Sequence, residues 1–460
     1  MSAGTVESRS PQAPGDVVVA APATDTEGVR RAAERAREAG RAWAAGPAAE
    51  RAEALFAGAA ALAAAAEEMA QLVVREVGKT IAESRAEVQR GVRILRFHAE
   101  AALLPDGEVH PRLPPAPAGT LTMSRRRPRG VAGLITPWNF PVAIPLWKAA
   151  PALAYGNAAL LKPASQATAT ALRIAELLEP HLPDGVLQVL PGGGSVGEAV
   201  IDVADVVSFT GSTVVGRRVA EAAAKRGVPA QCEMGGLNSS IVLPDCDPGA
   251  AANVIAGAAM GYAGQKCTAT RRVIAVGNAD ALGEALVAAV EALPVGDPAE
   301  EETQVGPVIA DDARQHVIAA AANAGGGVLT GGNAIDGDGY FVAPTLVGGV
   351  APDAELRREE VFGPVAALVE ADSIERALEI DAEVPYGLVT SIFTNDLGAA
   401  LEITERVRSG LIRVNQPTTG VDFHAPFGGT GISSYGPREQ GLAAREHYTT
   451  THTVTISPPG

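Results

Sequence analysis

From Val131 onward, short apolar runs at Val131-Ile135, Ala158-Leu161, Val186-Leu190 and Val206-Phe209 alternate with helix-forming stretches such as Gln166-Leu178 and Thr213-Lys225. Strands that follow one another through a helix cross over in one hand and lie parallel, so this spacing predicts a βαβ series with a parallel sheet. A second series begins after Gly235-Gly236, with strand-like Ser240-Leu243, Arg272-Val276 and Thr390-Phe393 separated by Ala-rich helices. The expectation is an α/β chain with two open α/β domains.

Ahead of this region, Thr24-Asp25-Thr26-Glu27 has the capping-box pattern and opens an Ala/Glu/Arg-rich stretch that runs to about Leu103, so several helices are predicted before any strand. Leu104 to Arg129 carries six prolines and the alternation Thr120-Leu121-Thr122-Met123, which predicts a projecting hairpin. The alternation Thr450-His452-Val454-Ile456 predicts a final strand with no local partner, which joins that hairpin or a neighbouring subunit.

Composition narrows the function. At roughly 150 residues per domain, 460 residues make about three structural units with ample cores. A net charge of −16 repels nucleic acid and anionic membranes. The one basic run, Arg125-Arg126-Arg127 with Arg129, is read as a solvated hairpin face, a local anion site being the other reading. The cysteines, Cys232, Cys246 and Cys267, supply neither a disulfide framework nor a metal-ligand pattern, which points to reduced thiols in the cytosol. The N-terminal stretch has no signal-peptide pattern, and the apolar stretches Ala57-Ala66 and Val142-Leu161 are broken by charges or prolines, so a soluble chain is expected.

A cysteine nucleophile needs exposure and a lowered pKa, and Gly264-Gln265-Lys266-Cys267-Thr268 offers small residues and an adjacent cation. Glu233, before Met234-Gly235-Gly236, stands at a strand end where it can act as a general base, and Asn139 ends the strand Val131-Ile135 with an amide that can donate to an oxyanion. Taken singly, each has a plainer reading: a core cysteine, a surface carboxylate, a turn asparagine.

Together they resemble the aldehyde dehydrogenase superfamily over nearly the whole chain. The motifs occur in order: PWNFP at Pro137-Pro141, KPAS at Lys162-Ser165, FTGST at Phe209-Thr213, EMGG at Glu233-Gly236, GQKC at Gly264-Cys267, EEVFGPV at Glu359-Val365 and PFGG at Pro426-Gly429. The separations of 23 residues from Asn139 to Lys162 and 34 from Glu233 to Cys267 agree with the family pattern. The resemblance implies that Cys267 adds to an aldehyde, Asn139 and the Cys267 N–H hold the oxyanion, a hydride leaves to a nicotinamide, and Glu233 activates water against the thioester. Relatives that pass the acyl group to coenzyme A typically lack this glutamate, so water is the expected acceptor.

For the cofactor, the resemblance implies Lys162 and Ser165 at the adenosine ribose and Gly211 and Ser212 at the pyrophosphate. Glu360 falls at the nicotinamide ribose, with Ile135, Thr136, Pro137, Trp138 and Phe362 packed nearby. The Gly192-Gly193-Gly194 run is read as a connection. Ser165 lacks the charge with which a glutamate would repel a 2′-phosphate, so NADP is preferred, with NAD as the alternative.

For the substrate, Phe140, Ile144, Trp147 and Phe427 are expected to line a tunnel, the first three on one face of the helix after PWNFP. The segment Val414-His424 with Ser433-Gly441 looks most like the 2-oxoglutarate-semialdehyde dehydrogenases. Other semialdehydes, succinate semialdehyde among them, and a non-catalytic binding role are the alternatives.

Departures from the family pattern are Leu237 after EMGG, Gly431 after PFGG and Glu383 before Tyr386. Cys232 and Cys246 are expected to be structural. The implied organisation is a Rossmann-like coenzyme domain at 1–109 and 129–235 and a catalytic domain at 236–433. A small β element at 110–128 and 447–458 joins subunits of a homodimer or homotetramer, and no metal is expected.

Overall fold

The computed structural model describes residues 4–420 and 422–459; Val421, within the segment compared above, the first three residues and Gly460 lie outside the described residues. Two sheets dominate. The first has six strands in the order Ser434–Tyr435, Ala230–Glu233, Val206–Thr210, Val131–Ile135, Ala158–Lys162, Leu187–Val189, parallel except for the first pair. The chain moves outward from Val131–Ile135 through two strands and then returns to Val206–Thr210 on its other side, which makes a topological switch point between those neighbours.

The second sheet has seven strands in the order Gly327–Thr330, Thr345–Gly348, Val365–Ala371, Thr270–Val276, Asn238–Val242, Val389–Phe393, Leu411–Val414, again parallel except at the first pair. Its central strands are buried along their whole length, as helix-covered parallel strands must be. Between the sheets the chain needs only the turn Met234 to Leu237. A third sheet pairs the final strand Thr449–Ile456 with Leu121–Pro128 over eight residue pairs, and Leu121–Pro128 also pairs with Gly107–His110.

Three local expectations change. Two strands, Thr5–Arg9 and Val17–Pro22, form an antiparallel pair ahead of the first helix, so helices do not come first. The first helix, Thr26–Ala45, is capped by Asp25, whose carboxylate accepts from the Gly28 N–H at 2.6 Å, and Thr24 is not the cap. The last segment does not go straight to the third sheet, because Ser434–Tyr435 first adds to the edge of the six-stranded sheet beside Glu233.

No single helix among the described residues is long and apolar enough to cross a membrane. The apolar helices Ala48–Ala64 and Ala66–Val77 meet at 70°, and both bury one side in the core. Glu76 joins them to the sheet layer. Fully buried, it accepts the Ala169 and Thr170 N–H groups at 2.7 and 2.8 Å and the Thr170 hydroxyl at 2.6 Å, at the start of helix Thr168–Leu178. Glu76→Ala leaves these buried donors unpaired and should cost about 2–4 kcal/mol in urea denaturation; a loss below about 0.5 kcal/mol would show that water replaces the carboxylate.

Candidate active site

The carboxyl ends of the strands on either side of the switch point carry the first components. After Val131–Ile135, the turn Pro137-Trp138-Asn139 crosses the sheet edge; after Val206–Thr210, Gly211 and Ser212 lead into helix Thr213–Lys225. Ser212 caps that helix without a side-chain bond, so its first N–H groups remain available to an anion. Pro137, Trp138, Asn139, Gly211, Ser212, Glu360 and Phe362 enclose a cleft of about 310 Å³ that reaches Cys267. Trp138 and Phe362 stand edge to face, 5.7 Å between ring centres.

Cys267 follows a strained turn. Tyr262 and Ala263 adopt left-handed backbone conformations (φ 53° and 48°), conformations that cost non-glycine residues free energy unless the surroundings hold them. The surroundings do: the Tyr262 hydroxyl donates to the Val77 carbonyl, and buried Arg271 donates to the carbonyls of Gly363 and Gly264. Asn238 donates to the Cys267 and Ala269 carbonyls, both at 2.8 Å. The Asn139 amide donates to the Gln265 carbonyl at 2.9 Å, which orients the group and leaves its second N–H for a ligand.

Electrostatics corrects one expectation. Lys266 does not activate the neighbouring thiol, because its ammonium is paired with Glu83 at 2.5 Å. Burial, followed by the fields of Glu360 and Glu233, pushes the Cys267 thiol well above its ordinary value, so the thiol is protonated at rest and any role as a nucleophile would need a base to take its proton first. Burial also lifts Glu360 to about 7; its Oε1 is buried and unpartnered, a lone pair waiting for a donor.

Glu233, 3 % exposed, accepts from the Ser434 hydroxyl at 2.5 Å and from the Gln231 amide at 3.0 Å. Gln231 in turn accepts from Ser208, and Ser208 and Lys148 both bond Glu439. Burial, then the charge of Glu439, pushes Glu233 up to about 8. This network was not read from the sequence, although a lysine within the apolar run of helix Ala143–Ala154 was a signal for it.

On the opposite side of Cys267 lies a second cavity of about 220 Å³, with Phe140, Trp147 and Phe427 as its apolar wall. The expected tunnel face is therefore corrected at Ile144, which lines the cleft with Trp138 instead. Helix Ala143–Ala154 starts after Phe140, so the three residues do not share one regular helical face. Arg90, also missed, lines this cavity. Lys79 there is paired with Glu87 and Lys266 with Glu83, whereas Arg90 has no hydrogen bond or ion pair among the described residues.

Lys162 and Ser165 lie further along the sheet edge, at the end of Ala158–Lys162 and the start of the turn Ser165–Ala167, outside the lining of the cleft, and Ile135 and Thr136 are buried and likewise outside it. Two departures have local causes. Gly431 has φ +59°, and a Cβ there would strike the Pro385 carbonyl; Glu383 accepts from Arg357 at 2.7 Å. Leu237 is buried, as is Cys232.

The profile of the aldehyde dehydrogenase family matches residues 1–454. An alpha-ketoglutaric semialdehyde dehydrogenase of Bacillus subtilis is 38% identical, the match covering 99% of this chain and 96% of the relative. Among solved structures, an NAD-dependent aldehyde dehydrogenase from Sinorhizobium meliloti superposes with a TM-score of 0.95 at 32% identity, covering 99% of this chain and 92% of that one. An NADP-dependent enzyme from E. coli gives 0.94 at 30% identity, covering 99% and 95%.

The roles expected of Cys267, Asn139 and Glu233 divide the reaction into two halves that substitutions can separate. Cys267→Ala should abolish reduction of the cofactor, Asn139→Ala should slow it by about a hundredfold or more, and Glu233→Gln should give one burst and then stall with an acyl group on Cys267 visible by mass spectrometry. A base raised to about 8 is mostly protonated at neutral pH, so steady-state turnover should climb with pH through that value and lose this limb in Glu233→Gln. Wild-type turnover by Glu233→Gln would remove Glu233 as the base.

Proposed function

The chain belongs to the aldehyde dehydrogenase family, and we propose that it oxidises a carboxylate-bearing aldehyde, such as 2-oxoglutarate semialdehyde, to the acid with NADP or NAD and with water as acyl acceptor. The observation that carries the substrate class is Arg90. A guanidinium stays charged at any physiological pH, and Arg90, with no hydrogen bond or ion pair among the described residues, lines the cavity that reaches Cys267 beside Phe140, Trp147 and Phe427, where it suits an anionic partner. A semialdehyde supplies that partner at one end and a carbonyl at the other. The name of the Bacillus subtilis relative agrees with this chemistry.

The residues of the chain divide the work. Cys267 Sγ, its thiol proton given up to water, bonds to the carbonyl carbon, and the resulting oxyanion accepts from the free Asn139 N–H and the Cys267 backbone N–H. Trp138, Phe362 and the start of helix Thr213–Lys225 would hold a dinucleotide, and the orphaned Glu360 oxygen suits a ribose hydroxyl. A nicotinamide held there would supply the acceptor for the hydride that leaves the adduct on Cys267. Glu233, held by Ser434 and Gln231, then removes a proton from the water that attacks the thioester. The presence of that buried carboxylate favours hydrolysis over transfer to coenzyme A.

Ser165 and Lys162 favour NADP, since a hydroxyl and an ammonium both donate to a 2′-phosphate. A reducing, cytosolic setting suits the free thiol of Cys267. The edge strand Gly107–His110, the exposed Val109 and Ile456 of the third sheet and the exposed Leu113 of its loop support assembly as a homodimer or homotetramer.

Two measurements test these assignments. Arg90→Met should raise KM for a carboxylate-bearing semialdehyde by about ten- to a hundredfold and leave an uncharged aldehyde of equal length nearly unaffected; an equal loss on both would reduce Arg90 to a packing residue. Ser165→Glu should reverse a preference for NADP in kcat/KM, because a carboxylate there repels the 2′-phosphate. A wild type already favouring NAD tenfold would overturn the reading of Ser165.

A further inference from the structure

The basic run Arg125-Arg126-Arg127 takes no part in the chemistry above. It forms one wall of a cavity of about 820 Å³, bounded also by the first two helices, the end of helix Ile81–Ala101 and the short helix Ala444–Tyr448. Arg41, Arg51 and Arg445 complete a set of six guanidiniums around it, against one lining carboxylate, Asp106. In a chain of net charge −16 this is a local reversal of sign, and cations converging on a concave surface reinforce one another's field.

The hydrogen bonds there are incomplete. Arg51 is used by the carbonyls of Ala154, Trp43 and Gly46. Arg125 faces Asp106 at 3.5 Å, and Arg126 pairs with Glu446. Arg41 and Arg127 have no carboxylate within ion-pair distance among the described residues. Arg445 donates to the Pro105 carbonyl at 3.0 Å, yet its Nε is buried without a partner, and so is the Tyr155 hydroxyl. Buried donors that face cations and lack an acceptor call for an anion.

The size sets the class of that anion. About 820 Å³ lies in the range that holds cofactor-sized ligands, and six guanidiniums are more than a single phosphate can engage. Leu103 and Leu104 add an apolar wall for an organic portion. We propose that this cavity, separate from the dehydrogenase site, binds an organic polyphosphate of nucleotide size. Arg41 and Arg127 hold its phosphoryl groups, and Tyr155 and Arg445 donate to it from the floor.

Isothermal titration of the full chain with sodium tripolyphosphate and with ATP, each with the coenzyme cleft saturated by NAD, tests this. Saturable binding is expected. The double variant Arg41→Ser/Arg127→Ser should weaken it at least tenfold with aldehyde oxidation unchanged, and Tyr155→Phe, which removes a hydroxyl and little bulk, should weaken it several-fold. Absence of saturable binding, binding abolished by raising NAD, or equal affinity in the double variant would overturn the proposal. Inorganic phosphate binding as tightly as tripolyphosphate would overturn the assignment to a polyphosphate.

Discussion

A lysine in the middle of a helix whose residues are all buried must find a counter-charge, and Lys148 finds Glu439, 291 residues further along the chain. An unpaired ammonium at that depth is prohibitive, and removing one partner of such a pair typically costs about 3–5 kcal/mol. The pair holds the segment from Ser434 to Tyr448 on the first sheet. Ser434–Tyr435 adds to its edge, the His447 ring donates to the Val207 carbonyl, and only then does the chain reach the third sheet. The same pair reaches Glu233 through Ser208 and Gln231, so the contact that closes the fold also orients the candidate base.

Cys267 sits where two cavities meet, and this arrangement explains why its surroundings hold back its ionisation. Two carboxyl groups, Glu360 and Glu233, act on the thiol through their charges, and burial raises all three groups. A site built this way keeps a neutral thiol and a largely protonated Glu233 at rest, which limits mutual repulsion in a dry environment. The turn at Tyr262 and Ala263 fixes the cysteine against this background, its strain met by buried hydrogen bonds from Tyr262 and Arg271.

Much of this was legible in one dimension. The strand-helix alternation after Val131 appears in the structure within a residue or two, because an apolar run and a 3.6-residue period are local properties. The final strand was legible by its alternation, although its partner was left open between the hairpin and another subunit; the register Thr449 to Pro128 and Ile456 to Leu121 decides it within the chain. The N-terminal strand pair was missed because Val17–Pro22 is too short and too apolar to show alternation. Ile144 was misplaced because a helix was assumed to start at Phe140, when Pro141 and the turn delay it to Ala143.

The sequence by itself determined the order of the elements and the spacing of Asn139, Glu233 and Cys267, since both follow from periodicity and from residue types at fixed intervals. Tertiary structure decided which charges are spent and which are free. Lys266 beside Cys267 and Arg90 far from it look equally available along the chain, yet Glu83 neutralises the first while the second faces the cavity. Pairing between side chains depends on distances set by packing across two sheets, and no local pattern in a sequence carries that information.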